Sequence, residues 1–169
     1  YSTKDLLPYV YPSAKDFEKN NIQIVYLGWF WQDWSLIDNG VYSALLGLEL
    51  RRDGVENTGD LYGLTALDED WVTVNQMMKY YKYGFGRASD YINEMIRMGK
   101  LDRDQGIKLA SQYDGCCSPE YIESFSNYIG ISTVEFWNKV YEVTDKNLFD
   151  INNNNKIVPK FAVGEGLMK

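Results

Sequence analysis

The residue types with the clearest potential for chemistry lie in the stretch KYGFGRASD. Gly84 and Gly86 form its centre, Lys82 and Arg87 stand on either side of them, and Asp90 follows. Small residues before a helix start let an anion approach the backbone amides, and a guanidinium group can bind a phosphate through two hydrogen bonds. The stretch therefore predicts a phosphate contact by the two cations, with the Asp90 carboxylate orienting the arginine. A tight turn between two helices with solvated cations explains the same residues without a ligand.

A second candidate is the aromatic stretch YLGWFWQDWS, which holds three of the five tryptophans of the chain around one aspartate. Aromatic rings cover the apolar faces of sugars and bases, while nearby polar groups fix their orientation. We predict that Trp31 and Asp33 line a ligand site. The alternative is a buried cluster whose rings only fill a core.

The composition removes several classes of function. The chain has no histidine, which excludes Ser-His and Cys-His catalytic pairs. Its two cysteines are neighbours, Cys116 and Cys117, and without histidine they predict no metal site. The net charge of −7 and the lack of a basic run argue against nucleic acid as a partner. No apolar run is long enough for a membrane span, and we expect a cytoplasmic protein.

The elements that must position these residues are mainly helices. Apolar residues recur at helical spacing from Trp71 to Tyr81, and capping signals mark the starts of four later helices. These signals are Ser89, Asp102 with Gln105, Ser118 before Pro119, and Ser132 with Glu135. The sequence predicts a mainly α fold, a bundle of about five to seven helices with one or two short strands.

The first third of the chain has a different pattern. Ser13 and Asp16 predict a short helix through Asn20, and a further helix is expected from about Val41. Residues 22–31 predict a buried strand, because they are apolar, β-branched and aromatic. A lone strand needs partners, so we expect it to join a sheet formed by upstream residues or by another chain. Near the other end, INNNNK predicts a surface turn before a short strand or an extended tail.

Three blocks of the sequence resemble one protein family. They are YPSAKDFEKNNIQIVYLGWF, YYKYGFGRASDYINEMIRMGKLDRDQGIKLASQYDG and SPEYIESFSNYIGISTVEFWNKVYEVTD. In order and content they resemble the carboxy-terminal half of the bacterial N-acetyl sugar amidotransferases of lipopolysaccharide and surface-polysaccharide biosynthesis. The most specific block runs from Lys82 to Gly115, with its glycine-rich turn, G-K-L-x-R-x-x-G pattern and Tyr-Asp-Gly ending.

The resemblance implies the C-terminal part of an α/β ATP pyrophosphatase of the PP-loop type. Residues 1–66 would then end the nucleotide-binding domain, residues 67–149 would form a helical domain, and residues 150–169 would be a tail. The implied enzyme uses ATP with Mg²⁺ to convert the acetamido group of a nucleotide-linked sugar to an acetamidino group. Ammonia would come from glutamine through partner subunits that resemble a glutaminase and a cyclase.

The phosphate-binding loop of that family, S-G-G-x-D-S, is absent from these residues. We therefore expect no ATP cleavage by this chain alone. The sequence leaves the catalytic residues unknown, and we expect them upstream. The alternative function is a non-catalytic helical module that docks partner subunits. A strand edge and an exposed aromatic cluster would also favour a homo-oligomer.

Overall fold

The computed structural model describes residues 2–30 and 34–167. The chain divides into two compact units, Tyr1–Trp34 and Ser35–Lys169. The first unit is small and consists of short helices. The second contains the glycine turn and most of the helices.

In the first unit, α1 spans Thr3–Leu6 and α2 spans Ala14–Asn20, with single 3₁₀ turns at Leu7–Tyr9 and Leu27–Trp29. The start of α2 is the predicted capping box. The Ser13 amide donates to the Asp16 carboxylate at 3.0 Å, and the Asp16 amide donates to the Ser13 hydroxyl at 3.3 Å.

The predicted strand over residues 22–31 is wrong for the part that the structure describes. Leu27–Trp29 is a 3₁₀ turn, and residues 22–26 pair with no strand of the described chain. The apolar side chains of Ile24, Val25 and Tyr26 are all more than half exposed. Without a neighbouring strand, the backbone groups of this segment have no ladder to join, so residue preference alone does not produce a strand.

The second unit begins with seven α-helices. They are α3 at Leu36–Leu45, α4 at Val55–Thr58, α5 at Val72–Tyr83, α6 at Arg87–Arg97, α7 at Arg103–Tyr113, α8 at Pro119–Ile129 and α9 at Thr133–Val143. The mainly α fold is thus confirmed, with nine α-helices among the described residues instead of five to seven. The excess comes from α1 and α4, which are single turns of four residues.

The observed helix starts can be compared with the predicted capping residues. The predicted caps at Asp102, Ser118 and Ser132 begin α7, α8 and α9. Two predicted starts were wrong. Helix α3 begins at Leu36, five residues before Val41, because the Ser35 hydroxyl accepts the amide of Asp38 at 3.1 Å.

The second wrong start is that of α6, which begins at Arg87, so Ser89 lies inside its first turn. The residue before the helix is Gly86, which has no side chain to serve as a cap. A serine followed by a helical pattern is therefore not enough to locate a start when another residue caps the helix.

Two groups of side chains form the interior of the second unit. The larger joins α5, α8 and α9 to the hairpin of residues 149–159. It contains Val74, Met77, Ile122, Phe136, Val140, Phe149 and Ile157. The smaller lies between α6 and α7 and contains Ala88, Ile92 and Ala110. Helix α7 comes very close to α6, since a Cβ atom on Gly106 would lie 2.8 Å from atoms of Ile92 and Ile96.

The irregular segment between α3 and α5 is held by a buried arginine. The side chain of Arg51 is 7% exposed, and its Nη1 atom lies 2.7 Å from the carboxylate of Asp70. Its Nη2 atom donates to the carbonyl oxygens of Ala66 and Glu69 at 2.7 and 3.1 Å. These bonds satisfy carbonyl groups that no helix or sheet pairs.

Two short antiparallel hairpins end the described chain. Strand β1, Phe149–Ile151, pairs with β2, Ile157–Pro159, so that Phe149 faces Pro159. The asparagine-rich segment forms the predicted turn between them. Strands β3, Phe161–Ala162, and β4, Gly166–Leu167, form the second hairpin. Among the described helices, none has the length and apolar character that crossing a lipid bilayer requires.

Candidate functional site

The glycine stretch is the connection between α5 and α6. Helix α5 ends where the amide of Gly84 donates to the carbonyl oxygen of Tyr80 at 2.7 Å. Gly84 has a φ of +79°, a left-handed conformation that residues with a Cβ atom adopt only at a cost. This glycine is therefore required by the turn itself, whether or not a ligand binds.

Gly86 has a different role, because an acidic side chain approaches it closely. A Cβ atom on Gly86 would lie 3.0 Å from an oxygen of Asp114, which follows the end of α7. The same carboxylate accepts the amide of Ser89 at 3.0 Å and also the hydroxyl of Ser89. Asp114 is thus the cap of α6, supplied from 25 residues further along the chain. The Asp114 carboxylate thus already accepts the Ser89 amide, one of the backbone donors that an anion bound at this helix start would use.

The predicted pair of Arg87 and Asp90 is present, and a third residue joins it. The Nη1 atom of Arg87 lies 3.7 Å from the carboxylate of Asp90, whereas the Nζ atom of Lys79 lies 2.8 Å from the same oxygen. Lys79 also lies over the ring of Phe85, 4.6 Å from its centre. The nearer partner of Asp90 is therefore Lys79, which the sequence analysis missed. The local sequence feature that could have pointed to Lys79 is its position one helical turn before Lys82.

The structure places the predicted site residues unequally. It brings Gly84, Gly86, Arg87 and Asp90 together around the start of α6. Lys82 is exposed, with its ammonium 5.9 Å from the ring centre of Tyr83. No ion pair joins Lys82 to an acidic group in the described part of the chain. A ligand could therefore reach its charge without breaking an existing ion pair.

Trp31 and Asp33 lie outside the described residues. The ligand site predicted from the tryptophan-rich stretch stays a prediction.

A cavity of about 360 Å³ opens beside the glycine turn. One wall is formed by the turn and by Ser89 and Asp114, and the other by the β3–β4 hairpin. Tyr83, Phe85 and Phe161 supply aromatic rings, while Ser89 and Asp114 supply oxygen atoms. Such a cavity suits a small ligand that has an apolar face and hydrogen-bond donors, but its carboxylate would repel a phosphate placed beside it.

The titratable groups near the turn are not tuned for nucleophilic chemistry. Burial raises the pKa of Tyr80 to about 12, and the nearby charge of Asp114 adds to the effect. Burial also raises the pKa of the Cys117 thiol to about 11 and that of Cys116 above its ordinary value. Both thiols are therefore protonated at neutral pH and are weak nucleophiles. Within residues 2–30 and 34–167, no group of three acidic or cysteine side chains has the arrangement of a metal site.

Comparison with protein families shows a match to the family described as LPS biosynthesis protein WbpG-like, C-terminal domain. The match covers residues 56–162, which is more than half of the chain. It begins in α4, ends in β3, and includes the glycine turn together with Lys79, Asp90 and Asp114. Comparison with curated proteins gives no match.

Proposed function

Because the chain belongs to the family of WbpG-like LPS biosynthesis proteins, as their C-terminal domain, we propose that it is the C-terminal part of an N-acetyl sugar amidotransferase. The substrate is a nucleotide-linked sugar with an acetamido group. The acetamido oxygen attacks the α-phosphorus of ATP, and pyrophosphate leaves. Ammonia then adds to the activated carbon, and AMP departs with the oxygen to leave an acetamidino group. Activation is needed because an amide oxygen is a poor leaving group.

The observation that carries this proposal is the position of the family match. The matched region contains the whole block from Lys82 to Gly115, on which the resemblance to these enzymes is most specific. In the structure, the two ends of this block meet, since Asp114 caps the helix that begins at Arg87. The block is therefore one structural unit that carries the exposed Lys82 and the partly buried Arg87.

We assign the phosphate contact to the side chains of Lys82 and Arg87. The amide of Ser89 is bound to Asp114, so the backbone contributes less than the sequence pattern suggests. Asp90 lies 3.7 Å from the guanidinium of Arg87, and Lys79 holds the same carboxylate at 2.8 Å. The phosphate belongs to ATP or to the nucleotide-linked sugar.

The remaining parts of the reaction lie outside this chain in our proposal. ATP with Mg²⁺ binds to a nucleotide-binding domain that carries the S-G-G-x-D-S loop, which this sequence lacks. Ammonia is delivered from glutamine by partner subunits of the glutaminase and cyclase type. The present chain contributes contacts to the nucleotide and the sugar, and these contacts position the reacting groups.

The test is a pyrophosphate-release assay with the enzyme that contains this chain. The reaction contains ATP, Mg²⁺, ammonium and a nucleotide-linked N-acetyl sugar, and release should require the sugar. Arg87→Ala should raise the KM for one nucleotide at least about tenfold, the effect of losing a charge-assisted hydrogen bond. Arg97→Ala, at the exposed end of the same helix, is the matched control.

Two outcomes would reject parts of the proposal. Release that does not depend on the sugar would reject the amidotransferase reaction. Equal kinetic constants for Arg87→Ala and the unchanged enzyme, for both nucleotides, would reject the phosphate contact while leaving the reaction in place.

A further inference from the structure

A second cavity lies between α8 and α9, and none of the described residues that line it belongs to the glycine turn. Its volume is about 690 Å³. Ile122 and Glu123 of α8 form one wall, and Trp137, Asn138 and Tyr141 of α9 form the other. The last three lie on one face of α9 because they are separated by one, three and four positions.

The two aromatic rings of this cavity are fixed in place. The rings of Trp137 and Tyr141 are stacked, with centres 6.1 Å apart and planes inclined by 30°. The rings of Phe136 and Trp137 pack edge to face, with their centres 5.8 Å apart. The Tyr141 hydroxyl donates to the carbonyl oxygen of Asn155 at 2.7 Å. A ligand that stacks on this pair therefore loses little affinity to the ordering of side chains.

Polar side chains stand around the aromatic pair. Glu123, Asn138 and Asn155 line the cavity, and the side chains of these three make no hydrogen bond to another described residue. A carboxylate accepts hydrogen bonds, and an amide both donates and accepts them. This combination matches the hydroxyl groups of a sugar ring.

The cavity also continues past the aromatic pair. A second hollow of about 280 Å³ shares Trp137, Tyr141 and Asn155 with it. The pair thus stands between two open spaces, and the combined groove has room for more than one ring.

We propose that this groove binds a neutral sugar, at a site separate from the glycine turn. The flat aromatic surface covers the apolar face of the ring, and the three polar side chains bind its hydroxyl groups. A phosphate is disfavoured in the larger cavity, because Glu123 is the charged group among the described residues that line it, whereas the smaller hollow carries Lys156. The inference does not depend on the amidotransferase reaction.

The test is direct binding to the protein of residues 1–169, with N-acetyl-D-glucosamine and methyl β-D-glucoside as probes and uridine for comparison. Binding is followed through the indole NH signal of Trp137 in ¹⁵N-labelled protein. At about 20 mM sugar, a site with a millimolar Kd is largely filled. We expect the Trp137 signal to shift with a sugar probe, and Glu123→Gln combined with Asn138→Ala to weaken binding at least about fivefold.

The controls separate this site from other surfaces. Glu123 and Asn138 are exposed, so their replacement leaves the core intact, whereas Trp137→Ala also removes a packed ring. Tyr128→Ala removes an exposed aromatic ring that stacks on Trp71 outside the groove, and it should leave sugar binding unchanged. The proposal is overturned if neither sugar shifts the Trp137 signal, if uridine alone does so, or if the double variant binds as tightly as the unchanged protein.

Discussion

Gly115 and Gly130 follow the ends of two helices and share a left-handed backbone, with φ values of +82° and +76°. Their surroundings differ. Among the described residues, a Cβ atom on Gly130 would meet nothing within 4 Å, while one on Gly115 would lie 2.3 Å from the ring of Tyr80. The two positions therefore separate the cost of the backbone from the cost of crowding.

We predict that Gly130→Ala lowers the free energy of unfolding by about 1–2 kcal/mol, the cost of a left-handed backbone. Gly115→Ala carries the same cost and about 1–3 kcal/mol more, because the Tyr80 ring must move. Urea denaturation of both variants measures the difference. Equal losses would show that the ring moves aside freely.

Three buried or half-buried tyrosines make the stability of the protein depend on pH in the alkaline range. Burial raises the pKa values of Tyr80, Tyr81 and Tyr91 to about 12, from about 10 in the unfolded chain. Because the folded state holds these protons more tightly, their contribution to stability is fully present below about pH 10. It is lost as the pH rises toward 12.

We therefore expect the free energy of unfolding to fall between about pH 10 and about pH 12. Tyrosinate absorbance should show a late group of tyrosines that ionises with unfolding. Tyr81→Phe removes one of the three groups and should make the fall less steep. A free energy that stays constant across this interval would contradict the assignment.

At the scale of elements, α6 and α7 form a hairpin that is closed by Asp114. Its carboxylate binds the backbone and the side chain of Ser89 in the first turn of α6. Asp104 is a useful comparison, since it is an exposed carboxylate in the first turn of α7 with no hydrogen bond to another described residue.

Asp114→Ala should lower the free energy of unfolding by about 1–2 kcal/mol, because it leaves the start of α6 without a cap. Asp104→Ala makes the same change of charge and should cost at most about 0.5 kcal/mol. Thermal and urea unfolding of the pair measure the difference. If both variants lose the same stability, the effect is one of net charge and not of the cap.

The helices and the predicted strand also show which structural features could be predicted from the sequence. The capping boxes at Ser13, Asp102 and Ser132 were predictable because both partners lie within three residues. The start of α6 was not, because its cap comes from a residue at the far end of the next helix. The strand over residues 22–31 failed for a related reason, since strand pairing depends on distant backbone groups. The Lys79–Asp90 contact in the candidate site was also missed, because it joins two helices.

At the scale of the whole molecule, apolar side chains are exposed along α3 and the residues after it. Leu45 and Leu46 are 80% and 73% exposed, and Tyr42 is 65% exposed. Exposed apolar groups that lie together favour association. The homo-oligomer expected from the sequence stays a prediction, and this segment is a place at which it can be tested.

We expect the protein of residues 1–169 to associate as its concentration rises. Leu45→Ser combined with Leu46→Ser should lower the average mass measured by sedimentation velocity. Val134→Ser changes one exposed apolar residue on α9 and should leave that mass unchanged. A protein that sediments as a monomer at every concentration would rule out association through α3.

The hairpin of α6 and α7 also bears on the order in which the chain folds. Its contacts join residues close in sequence, including Gly106 against Ile92 and Asp114 against Ser89. Closing such a short loop costs little chain entropy, so these contacts can form before those between α5 and the terminal hairpins. We therefore expect the hairpin to form the folding nucleus. Ala110→Gly, within the hairpin, should then slow refolding, whereas Ile157→Val in β2 should mainly speed unfolding. The segment on which the family resemblance is strongest would thus be the first to become native.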